Sequence, residues 1–185
     1  MSRPRCRRCL AVVVASTALA AVGRPAACQD SSVDRITGPA VSQPTAWPCQ
    51  LIVNSELRQF AGLAWDHSAT FRDQCRKLAA ARAVVIVQPS RETLQAQARI
   101  DVTRDGSTLA RVRVRSGVRA VELIAHELEH VLEHIEGVKF LMEAKRPGSG
   151  VSLSGGAFET RRAIDAGRRV DREVRVATRA HAKAR

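Results

Sequence analysis

Tyrosine is absent from the 185-residue chain, so any active site it builds must stabilise negative charge without a phenol. Long apolar runs are scarce. The one stretch that qualifies, Leu10 to Val22, is too short for a membrane span. No long internal repeat occurs, and the length excludes a multidomain machine while leaving room for one small domain with appendages. Cysteine is limited to five residues, and no Cys-x-x-Cys spacing occurs beyond residue 22, which argues against a cysteine-held zinc.

What is present begins with an export pattern. Arg3, Arg5, Arg7 and Arg8 precede the apolar run, and Ala18 and Ala20 supply the small residues read by a signal peptidase. Residues 1–22 are therefore expected to be a leader, cleaved after Ala20 or in the stretch up to residue 27. The mature protein is expected in the periplasm or outside the cell. The Arg7-Arg8 pair is compatible with twin-arginine export, and Cys28 is a candidate lipid anchor although Pro25 fits a lipobox poorly. Removing residues 1–20 takes away four arginines and no acid, lowering the net charge from +12 to +8. Such an excess favours anionic surfaces, but its scatter predicts no specific nucleic-acid partner.

Once Cys6 and Cys9 leave with the leader, Cys49 and Cys75 are the natural pair for a disulfide in an oxidising compartment; the alternative is two buried thiols. Residues 23–48, with Pro39, Pro44 and Pro48, read as a linker, and residues 49–175 as the folded domain. From Ser55 to about Ala81 helical spacing prevails, broken near Asp66 to Ser68. Ala83 to Val87 suits a buried strand. Alternation of Ala98, Ile100 and Val102, resumed at Ala110, Val112 and Val114 after Asp105-Gly106, predicts a hairpin.

The strongest helix is expected from Val118 to Glu136, with Gly137 at its end. A glycine-rich loop, Pro147 to Gly156, should lead to a last helix from Ala157 to Arg175, followed by a basic tail over residues 176–185. The fold class is thus α+β: N-terminal helices, a short sheet with a hairpin, the long helix and a C-terminal helix.

That long helix carries His126-Glu127-Leu128-Glu129-His130. Histidines four apart project from one helical face and can share a tetrahedral metal. Glu127 is rotated away from the ligand direction yet stays beside the site. There its carboxylate can take a proton from a water whose pKa the metal lowers and deliver it to a leaving group. The bland reading is a solvated polar face, since Glu122, Glu133 and His134 lie on the same side.

At these residues the chain resembles the zincin metallopeptidases, whose shared half-domain sets a small sheet before a helix bearing HExxH. Family members prefer uncharged residues between the glutamate and the second histidine; Leu128 fits and Glu129 departs. The metzincin subgroup would place glycine at Glu133 and histidine at Glu136, and neither is present. A gluzincin-like site takes its third ligand from a glutamate on a following helix, which implies Glu159, 29 residues beyond His130. On the helix expected there, Glu159 shares a face with Ala163, Ala166, Gly167 and Val170. Small residues permit close helix approach, and a buried carboxylate calls for a partner. Glu143 is the reserve ligand; Asp165 faces the arginine-rich side.

The resemblance implies one Zn2+ per chain, held by His126, His130 and Glu159, with Glu127 as general base and a peptide or protein substrate. Related sites use tyrosine or histidine for the oxyanion, so His181, His67, an arginine or the metal alone must serve. The strand from Thr108 to Arg115 is either an edge for an extended substrate or one whose arginines guard against aggregation. The rivals are a non-catalytic metal-binding protein on the same scaffold and a basic surface-binding protein.

Overall fold

The computed structural model describes residue 47 and residues 49–91, 95–154 and 156–184. The leader, Cys28 and all of the linker except Trp47 lie outside the described residues. The described part is α+β, with five helices, a four-stranded sheet and a separate two-stranded hairpin.

Strand β1 (Gln50–Val53) enters α1 (Ser55–His67) and α2 (Ala69–Ala80), and the chain returns as β2 (Val84–Pro89) parallel to β1. Asn54 caps α1 by accepting from the Glu56 N–H at 3.0 Å. Ser68 separates the two helices and caps α2 by accepting from the Phe71 N–H at 3.0 Å. The break expected at Asp66 to Ser68 is therefore a cap. Strand β1, four residues with two side chains buried, was too short to read from periodicity.

Strands β3 (Ala96–Val102) and β4 (Thr108–Val114) form the expected antiparallel hairpin, turning at Gly106 with φ +83°. The sheet order is β1-β2-β4-β3, so β4 is an interior strand paired on both sides. This corrects the expectation that Thr108 to Arg115 offers an edge: the edge strands are β1 and β3. Val85, Val87, Ala110, Val112 and Val114 alternate onto the buried face, against which α1 and α3 (Ala120–Ile135) pack.

Helix α3 ends at Gly137, whose φ of +83° suits a left-handed cap. It buries Ile124, Leu128, Val131 and Leu132, each worth about 1.5–3 kcal/mol when withdrawn from water. A single turn, α4 (Phe140–Glu143), follows. The segment expected to be a glycine-rich loop contains β5 (Val151–Ser154), paired antiparallel with β6 (Ala157–Thr160).

Helix α5 starts at Arg161 rather than Ala157 and continues through Lys183, so most of the expected basic tail is helical. Thr160 ends β6 and caps α5, its Oγ1 accepting from the Ala163 N–H at 3.0 Å. Halfway along, Glu173 accepts from Ser68 Oγ at 2.6 Å, Thr70 N at 3.1 Å and Thr70 Oγ1 at 2.8 Å, anchoring α5 to the start of α2. Gly167 sits against α3: a Cβ there would lie 2.8 Å from the Glu122 carbonyl oxygen and 3.1 Å from His126 Cβ. The small stripe expected on the last helix thus lets α5 close onto the motif helix.

Cys49 and Cys75 are buried, with their sulfurs 2.6 Å apart as thiols. They are separated by 26 residues, and a bond between them would stabilise the fold by about 3 kcal/mol through loss of unfolded-chain freedom. In protein matured under oxidising conditions, Cys49 and Cys75 are expected to resist alkylation after denaturation until reductant is added. Peptide mapping of the alkylated protein checks this, and ready labelling without reductant would leave the pair as thiols.

Candidate metal centre

The four-residue spacing places His126 and His130 one turn apart on α3, their rings edge to face with centroids 4.8 Å apart. Glu159 reaches them from β6, not from a helix as expected. Its Oε1 lies 3.1 Å from His126 Nε2 and 3.5 Å from His130 Nε2. One ligand atom from each of the three residues falls within 4.8 Å of the others.

Donors about 2.0–2.1 Å from a tetrahedral zinc stand about 3.4 Å from one another, so this donor set fits the ion. The side chains of His126 and His130 are 15% and 11% exposed, whereas that of Glu159 is 42% exposed, which leaves an open approach. The site faces a cavity of about 600 Å³ bounded by Ala96, Gln97, Ala98 and Ile100 of β3 and by Phe140 and Phe158. Those two phenylalanines stack with centroids 5.6 Å apart.

Glu127 is 5% exposed beside this group. Burial is the main reason its carboxyl is pushed up to about 7; the Glu159 charge adds to the rise, while His130 and a hydrogen bond from the Ala98 backbone oppose it. A bound cation would pull it down again. Burial also holds His126 below the ordinary histidine value despite the Glu159 carboxylate. For His130 burial acts in the same direction, but the Glu133 hydrogen bond and the surrounding carboxylates outweigh it, and the net shift is upward.

Sequence reasoning missed Glu133. It is 3% exposed, and its Oε2 lies 3.0 Å from His130 Nδ1 and accepts from Thr160 Oγ1 at 3.0 Å. The carboxylate therefore fixes His130 with Nε2 toward Glu159 and ties α3 to the strand bearing Glu159. The three-residue spacing from His130 was the available signal; nothing local marked Thr160. Glu133→Ala is expected to weaken zinc binding about 10–100-fold with the fold retained. Competition with a chromophoric chelator checks this, and unchanged affinity would reduce Glu133 to a packing role.

Nor does Glu129 share the face of the two histidines. It is 7% exposed and points between α2 and α5, accepting from Gln74 Nε2 at 2.7 Å and from Arg162 Nε at 2.6 Å. Arg162 also pairs with Glu136. The charged residue that departs from the zincin pattern is thereby neutralised away from the histidines. Of the three residues on which the bland reading rested, Glu133 is buried, while Glu122 and His134 are half-buried.

The other candidates separate cleanly. Glu143 pairs with Arg146 at 2.5 Å and borders a different cavity, together with Asp165, so neither joins the histidines. His67 and His181 face each other with centroids 5.6 Å apart, and neither borders the cavities at the motif. His134 does border the main cavity, and Arg119 and Arg168 border a smaller one beside His126. No protein-family model, curated protein or solved structure matches the chain.

Proposed function

We propose that this protein is an exported zinc-dependent peptidase of the zincin type, gluzincin-like in its ligands. The observation that carries the reading is the convergence of His126 Nε2, His130 Nε2 and Glu159 Oε1, with a buried carboxylate, Glu127, next to them. A strand edge beside the site supports a peptide substrate. Ala96, Gln97, Ala98 and Ile100 of β3 border the cavity, and an extended chain can add to that edge while its side chains meet Phe140 and Phe158.

Zinc, when bound, would polarise the scissile carbonyl and lower the pKa of a water. Glu127 receives the proton of that water and delivers it to the departing amine, its burial keeping bulk water from competing. The Ala98 backbone orients its carboxylate. Glu133 and Thr160 hold His130 and β6 in register. Export rests on the leader pattern of residues 1–22.

Elemental analysis of protein purified without a chelating tag tests the reading. About one zinc per chain is expected, and a chelator should abolish cleavage of a mixed peptide pool, with stoichiometric zinc restoring it. Protein that neither contains nor takes up zinc, or cleavage indifferent to the chelator, would sink it.

A further inference from the structure

Besides the cavity walled by Phe140 and Phe158, the site opens on its His126 side into a second cavity of about 310 Å³. This volume is at the lower end for ligand sites, roughly 300–1,000 Å³. Its polar lining is His126, Glu127 and Glu159 of the candidate site together with Gln95, Arg119, Glu122 and Arg168.

Arg119 is held in place: its Nε and Nη2 reach Glu122 at 3.1 and 3.0 Å, and its Nη1 donates to Gln95 Oε1 at 2.8 Å. Because arginine can only donate, this contact orients the Gln95 amide and leaves its nitrogen as a donor. Glu122 also feels the charge of Arg168, so one carboxylate faces two guanidinium groups. Asp171, which acts on Arg119 from further along α5, is paired with Arg175 at 2.7 Å. One positive charge, at Arg168, is left over. Glu127 and Glu159 are the remaining acids here, and under the proposed function they act on the zinc and its water.

We infer that this cavity receives a carboxylate of the substrate, held by Arg168 with Arg119 and Gln95 beside it. The planar fork of a guanidinium matches a carboxylate in two parallel hydrogen bonds, which an ammonium cannot reproduce. The inference rests on the proposed peptidase reading and adds the substrate class: peptides with a carboxylate next to the cleaved bond. That group is either an acidic side chain or the free C-terminus.

The full chain carrying Glu127→Gln, loaded with zinc, separates these sources. Four dye-labelled peptides, Ala-Phe-Ala-Xaa-Ala with Asp or Asn at Xaa and with an acid or amide C-terminus, are titrated by fluorescence anisotropy. A peptide with the correct carboxylate should bind at least about tenfold tighter than the one with neither, and the arm showing the gain identifies the source. Arg168 is exposed, so Arg168→Gln folds; it should erase the preference, while Arg168→Lys keeps part of it. Equal affinity for all four, a preference that survives Arg168→Gln, or no binding would overturn the assignment. Wild-type cleavage without acid preference removes this proposal and leaves the peptidase standing; acid-selective binding without any cleavage removes the peptidase and the substrate class with it, leaving a carboxylate-binding cavity.

Discussion

Glu127→Gln is expected to lower the rate of peptide cleavage about 10²–10⁴-fold while zinc stays near one per chain. The two effects separate because Glu127 is beside the ligand group without belonging to it. Glutamine keeps the volume and the hydrogen-bond acceptor for the Ala98 backbone, so the packing of this buried position is undisturbed. What disappears is the group that can carry the proton. Measuring kcat alongside zinc content checks this, with His126→Ala as the contrasting variant that loses both. If Glu127→Gln turned over substrate at the wild-type rate, another group would be the base, and the assignment drawn from HExxH would fall.

The second large effect is expected at Gly167. An added Cβ would meet the Glu122 carbonyl oxygen at 2.8 Å, and a helix backbone cannot move aside as a side-chain tip can. Gly167→Val should therefore destabilise the protein by at least about 1–3 kcal/mol through overpacking. Zinc affinity should fall with it, because α5 begins immediately after the strand that carries Glu159. Gly62, in α1, has open space around it, and Gly62→Ala should instead stabilise by up to about 1 kcal/mol through helix propensity. Denaturant midpoints of the two variants decide the matter. A Gly167→Val protein as stable as the wild type would mean that α5 does not depend on this close approach.

Much of this was legible beforehand because it depends on local periodicity. The α1–α2 break, the hairpin over residues 96–114 and the long motif helix follow from spacings of 3.6 and 2 together with capping and turn residues. Two readings failed for a common reason. Glu159 was expected on a helix because an acidic residue followed by a small-residue stripe looks helical, yet β6 is held by its partner β5, a pairing no local pattern announces. The edge was expected at β4 because hairpin strands look alike in sequence. Its parallel pairing with β2 makes it an interior strand.

The sequence by itself determined the two histidines and the glutamate of the motif, since a helix turn sets their relation without help from the rest of the chain. It also determined the small residues along α5 and the cysteines at positions 49 and 75. Tertiary structure alone decided that Glu159 closes the group from a hairpin, that Thr160 holds the Glu133 carboxylate that braces His130, and that Arg162 absorbs the charge of Glu129. Each of those contacts joins residues 27 or more apart or depends on such a contact. Their geometry follows from how sheet, hairpin and helices pack, and periodicity contains no information about that.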